Sequence, residues 1–136
     1  MSFKWENFLD LAKTLAKTAD DDASLRSAVS RSYYCAFNLA RRRAEANGYR
    51  HPKDDATGSH DLIWELYGRN DDPGCVRLAS IGPRLKRRRV KADYRLFCDK
   101  LSDDVQDAIA DAEECITLLS KLEIDLPKDV PRIFRF

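Results

Sequence analysis

Residues 23–46 read ASLRSAVSRSYYCAFNLARRRAEA, with no proline or glycine in the run. Leu25, Val29, Ser32, Tyr33, Ala36 and Ala40 recur at steps of three and four, the spacing that gathers side chains on one face of a helix. At 1.5 Å per residue this predicts a helix of about 36 Å, the longest element of the chain. The aspartates at 20–22 supply a cap and negative charge at its start, and Asn47-Gly48 supplies the stop.

The neighbouring segments have the same character. Trp5, Phe8, Leu9, Ala12, Leu15 and Ala16 predict a first helix over 3–19. Residues 49–58 (YRHPKDDATG) read as a polar loop broken by Pro52 and Gly58, after which Ser59 is a plausible cap for a short helix carrying Leu62, Ile63, Leu66 and Tyr67. A further helix is expected over 75–89, burying Val76, Ala79 and Leu85, with Gly82-Pro83 kinking or dividing it. The last helix is expected from Ser102, with Asp103 and Asp104 at its positive end and a buried stripe of Val105, Ala108, Ile109, Ala112, Cys115, Ile116 and Leu119. Nothing alternates with period two long enough to make a strand. The expected fold is all-α: an antiparallel bundle of four main helices plus a short one, one helical domain over 1–126 and an extended tail over 127–136 punctuated by Pro127 and Pro131.

Composition narrows the function classes. The chain of 136 residues carries 24 Lys plus Arg against 23 Asp plus Glu, so it is no uniformly basic coat for nucleic acid. The charges are zoned instead. Residues 84–95 hold seven bases and one acid, whereas residues 99–129 hold ten acids and three bases. No run of apolar residues is long enough for a membrane span and the N-terminus lacks a signal-peptide pattern, so no membrane partner and a cytoplasmic location are expected. Cys35, Cys75, Cys98 and Cys115 are dispersed, with only His51 and His60 to accompany them; this is no zinc spacing, and neither metal nor cofactor is expected.

On the long helix, Arg31, Tyr34, Cys35 and Asn38 stand at i, i+3, i+4 and i+7, a polar island on one face. Its plain reading is a structural network in which Arg31 pairs with an acid from another helix. The basic run Arg84, Lys86, Arg87, Arg88, Arg89 and Lys91, together with Arg41, Arg42 and Arg43, has two readings of similar weight: phosphate contacts to nucleic acid, or an electrostatic counterpart of the acidic last helix. Asp93 reads as a turn residue capping backbone amides, and Tyr94 as a buried ring with a bonded hydroxyl.

Three strings carry a resemblance. Ser30-Arg31-Ser32-Tyr33-Tyr34-Cys35-Ala36-Phe37-Asn38 resembles the Ser-Arg-Ala-Tyr-Tyr-x-x-Phe-His of the HEPN superfamily (higher eukaryotes and prokaryotes nucleotide-binding). Ser59-His60 resembles that family's Ser-His segment, and Arg89-Val90-Lys91-Ala92-Asp93-Tyr94 its Arg-x-x-Ala-Asp-Tyr string. The resemblance implies an all-helical bundle, commonly a homodimer, and in active members a metal-independent endoribonuclease of toxin or defence type. It also implies RNA as substrate and, as protein partner, an antitoxin or a nucleotidyltransferase-like protein. The alternative is a non-catalytic module that binds a nucleotide, nucleic acid or partner protein. Carried over by position, Arg31 matches the family Arg and Asn38 takes the place of the His. A carboxamide does not titrate near neutral pH, so Asn38 can only hydrogen-bond where imidazole would move a proton. The candidate catalytic set is therefore Arg31 on phosphate, Asn38 as a positioning group and His60 as a speculative proton carrier, with helix two near the dimer interface.

Overall fold

The computed structural model describes residues 3–18, 21–51 and 58–123, so the expected tail over 127–136 and most of the 49–58 loop lie outside the described residues. Five helices follow in order: α1 (Glu6–Thr18), α2 (Asp22–Ala46), α3 (Ser59–Gly68), α4 (Pro73–Tyr94) and α5 (Leu101–Lys121), with no strand among the described residues. None is long and apolar enough to cross a membrane.

α2 is the central element and packs against the other four. Its start is fixed by Asp21, whose Oδ1 accepts from the Ser24 amide at 2.8 Å, a cap worth about 1 kcal/mol. Asn47 and then Gly48, at φ 99°, end it. Val29, Ser32, Tyr33, Ala36 and Ala40 are all fully buried, as their spacing demands, and Leu25 is half-buried. The register of side-chain pairs gives the directions. Lys91 meets Asp104, Arg88 meets Asp107 and Arg77 meets Glu114, so α4 and α5 run antiparallel.

Five local expectations need correction. α4 is one helix from Pro73 to Tyr94 and is not divided at Gly82-Pro83. Gly82 is there for proximity: a Cβ would overlap the Trp64 indole. Ser59 does not cap α3, because the cap position falls on Gly58, at φ 75°, with no side-chain bond. Val76 is 52% exposed and Tyr94 77% exposed, since both lie on the face of α4 turned away from the core. Asp93 is helical rather than in a turn, and pairs with Arg89 one turn back at 3.3 Å.

The α5 stripe is buried from Val105 through Cys115, with Ile116 and Leu119 packed at its edge. It includes one residue the apolar pattern leaves out, Asp111, which is buried and receives two arginines. The thiols of Cys35, Cys75 and Cys115 are buried and unreactive: removal from water pushes them up to about 12, 11 and 12 respectively. Cys98, in the α4–α5 linker, is partly exposed.

Candidate functional site

The island expected on α2 divides into a buried half and an open half. Cys35 is fully buried and Asn38 is 8% exposed, with its Nδ2 donating to the Tyr34 carbonyl at 2.8 Å. The Asn38 amide thus spends its donor on its own helix. Arg31 and Tyr34 are open, and with Ser27, Ser30, Arg26 and Asp93 they line a polar cleft of about 470 Å³ between the first half of α2 and the end of α4.

Arg31 has no carboxylate partner among the described residues, contrary to the structural pairing that its position suggested. Its guanidinium lies 4.6 Å from the Phe8 ring centroid and 5.3 Å from that of Tyr34, and its one polar contact is the Ser30 hydroxyl at 3.5 Å. Cation–π contact holds a guanidinium by its face and leaves its N–H edge available to an anion. Arg89 repeats the arrangement from α4, with its Cζ 5.6 Å from the Tyr33 ring and 5.5 Å from the Tyr34 ring. It is 9% exposed, and its buried Nε has no hydrogen-bond partner among the described residues. Two guanidiniums therefore attend one ring, Tyr34.

Arg26 forms the end of the cleft. Its Nη1 donates to the carbonyls of Ala92 (3.0 Å) and Arg95, and its Nη2 to that of Leu96 at 3.2 Å, so it neutralises the C-terminal end of α4. It also pairs with Asp22, one turn back on α2, at 2.8 Å.

His60 is carried by α3 to the same aromatic cluster. Its ring stacks on Phe37 at 3.9 Å and meets the edge of Tyr34 at 6.0 Å. The Tyr33 hydroxyl accepts from Trp64 Nε1 at 3.2 Å and shares a hydrogen bond of 2.7 Å with His60 Nδ1, whose direction depends on the imidazole tautomer. Burial, reinforced by Lys86 and Arg89, pulls the imidazole down to about 4, with Asp61 opposing. Burial also raises the Tyr33 phenol above its ordinary range. His60 thus sits beside the site as a neutral, bonded ring, poorly suited to carry a proton near pH 7.

The basic run is largely committed to the protein's own acids. Arg84 makes a two-pronged contact to Asp111 at 2.8 and 3.1 Å, and Arg88 reaches the same carboxylate at 2.7 Å. Lys86 pairs with Asp61 at 2.9 Å, and Lys91 with Asp104 at 3.0 Å. Arg43 is half-buried, and its Nη2 donates to the Leu122 carbonyl at 3.4 Å. Arg41, Arg42 and Arg87 are exposed and have no carboxylate partner among the described residues; Arg41 lies 5.9 Å from the Phe37 ring. His51 is exposed. No group of three His, Cys, Asp or Glu side chains that could hold a metal ion occurs among the described residues.

The cleft therefore offers one aromatic-backed guanidinium, that of Arg31, with Arg26 at its end, hydroxyls from Ser27 and Ser30, and one carboxylate, Asp93, which is paired with Arg89. Those are the parts of a phosphate-binding site. Comparison of the chain with protein-family models, curated proteins and solved structures returns no match.

Proposed function

We propose that the chain is a HEPN-like, RNA-acting helical protein whose Arg31 cleft binds a backbone phosphate, and whose metal-independent ribonuclease activity is weak or lapsed. The observation that carries this reading is Arg31: a guanidinium backed by Phe8 and Tyr34, at the mouth of a polar cleft, with no acid to neutralise it. Arg89, on the other flank of Tyr34, adds positive charge behind the ring, although it is buried and paired with Asp93. Exposed Arg41 and Arg42 extend the positive surface farther along α2. A toxin or defence role, a homodimer, an antitoxin or nucleotidyltransferase-like partner and a cytoplasmic location belong to the same proposal.

The second reading, a non-catalytic module for a nucleotide, nucleic acid or partner protein, is favoured by one detail. Asn38 cannot titrate and its amide is already bonded to the Tyr34 carbonyl.

The two readings part on one substitution. Single-stranded RNA is incubated with the protein in EDTA, and cleavage is followed on gels across pH. The native chain cleaves weakly or not at all. Asn38→His raises the rate, within the range of about 10²- to 10⁴-fold that general acid–base catalysis supplies, and adds a group titrating near about 6 to 7. Arg31→Ala in that background removes the gain. No gain in a folded, RNA-binding Asn38→His protein selects the binding module, and native cleavage that survives Arg31→Ala places the chemistry elsewhere.

A further inference from the structure

The linker that follows α4 carries two large apolar side chains in water. Leu96 is 99% exposed and Phe97 78% exposed, and with Tyr94 they are the most exposed large apolar residues among those described. Adjacent apolar groups left uncovered mark a contact surface. The backbone beneath them is anchored on both sides. The Arg26 guanidinium donates to the carbonyls of Ala92, Arg95 and Leu96, while Cys98 packs against the core with its Sγ 3.7 Å from the Lys91 carbonyl. The fold thus fixes the segment and leaves Leu96 and Phe97 outside.

The anchor also places them. Arg26 lines the Arg31 cleft, and its 3.2 Å bond from Nη2 to the Leu96 carbonyl puts the Cα of Phe97 within about 6 Å of that guanidinium, given the dimensions of a peptide unit. Phe97 therefore stands at the Arg26 end of a cleft whose Arg31 has no carboxylate partner among the described residues. Asp93 and Asp99, the acids on either side of the segment, are already paired, with Arg89 and Lys91. Tyr94 takes another direction: Ala92 lines the cleft, and two residues on Tyr94 emerges about 200° round the helix. A phenyl ring beside an unneutralised cation matches a nucleotide unit, which joins an anionic phosphate to a flat base. In a duplex the faces of that base are already stacked, so the ring can take only an unpaired one.

We propose that Leu96 and Phe97 form a subsite for one unpaired base of an RNA strand whose phosphate Arg31 holds, with Arg26 as the strut that keeps subsite and cleft in register. This rests on the reading of Arg31 as a phosphate ligand and adds the surface that recognises the base. Stacking on Phe97 uses the π-face that every base has, so the subsite separates unpaired from paired strands and is tolerant of sequence.

The test is fluorescence anisotropy of the full chain with three end-labelled probes: a short oligoadenylate, the same ribose-phosphate backbone without bases, and the oligoadenylate in a duplex. The native chain prefers the base-bearing single strand to the baseless one by about fivefold to a hundredfold. Phe97→Ala removes that margin, leaves the affinities for baseless strand and duplex unchanged, and keeps the helical spectrum. Phe97→Trp retains the margin, and its new indole is quenched as the strand binds. Tyr94→Ala leaves every affinity within about twofold, whereas Arg31→Ala weakens the base-bearing and baseless strands alike. Equal affinity for the two single strands, with Arg31→Ala and salt still weakening both, overturns the base subsite, leaves the phosphate reading standing and frees the patch for a protein partner. A loss from Tyr94→Ala equal to that from Phe97→Ala overturns the assignment to Phe97. Absence of salt-dependent binding to any probe overturns both readings.

Discussion

Along the seam between α4 and α5, arginine is neutralised: Arg84 and Arg88 converge on the buried Asp111, and Arg77 holds Glu114 at 2.7 Å. On the α2 side, Arg31 is parked on aromatic rings, over Phe8 and Tyr34, with no carboxylate partner among the described residues, whereas Arg89, over Tyr33 and Tyr34, also pairs with Asp93. The seam has exchanged hydration for carboxylates and has little charge left to offer a ligand. The cleft has exchanged part of its hydration for π-faces, which hold a guanidinium without cancelling its charge. The same residue type therefore builds the fold in one place and keeps a site electropositive in the other, and local charge count does not distinguish them.

The seam is the easier side to break. Asp111→Ala leaves two guanidiniums facing a vacated position, and removal of one partner from a largely buried pair costs about 3–5 kcal/mol. Chemical unfolding should show that loss as a lower midpoint with an unchanged slope. Arg77→Ala, at an exposed pair, should move the same midpoint by less than about 1 kcal/mol.

The cleft sharpens the contrast through binding. Arg31→Ala should weaken RNA affinity by about tenfold and reduce the salt dependence by about one counterion. Arg84→Ala should destabilise the fold yet leave the affinity of the folded protein within about twofold. Fluorescence anisotropy over a salt series measures both quantities. Equal losses from the two variants would mean that seam and cleft act as one surface.

A further effect concerns His60. Its folded value of about 4 lies below its ordinary 6.5, so below about 6.5 the unfolded chain takes up a proton that the folded chain refuses. The contribution of His60 to stability is whole above that pH and is lost as pH falls toward about 4. After allowance for its partial exposure the change is roughly 1 kcal/mol. Thermal melts at neutral and mildly acidic pH should therefore diverge less in His60→Gln than in the native chain.

How far these regions could be read from sequence depends on whether the deciding partner is local. The α2 core face was legible because Val29, Tyr33, Ala36 and Ala40 announce it by spacing alone. The cap at Asp21 was legible for the same reason. The commitment of the basic run was half legible: an acidic last helix was visible, but which bases it absorbs turns on the burial of Asp111, a polar residue on an otherwise apolar stripe. Arg26 gave no signal, because its main partners are backbone carbonyls at Ala92, Arg95 and Leu96, to which sequence patterns are blind. Of the two outcomes expected at Gly82-Pro83, division of the helix does not occur, and the local rule for helix breaking knows nothing of the Trp64 ring that Gly82 admits. The aromatic backing of Arg31 had a signal in Tyr34, three residues along the same helix, whereas Phe8 comes from another helix and had none.

The distribution of thiols turns the molecule into its own clock. Cys35 and Cys115 lie on facing helices with thiolate formation pushed to about pH 12, so at neutral pH an alkylating reagent gains them chiefly when the bundle opens. Cys98 lies outside that core, in the linker after α4, and marks local access instead. A time course of mass increments after adding reagent thus resolves breathing of the linker from opening of the whole bundle, with no label or probe engineered into the chain.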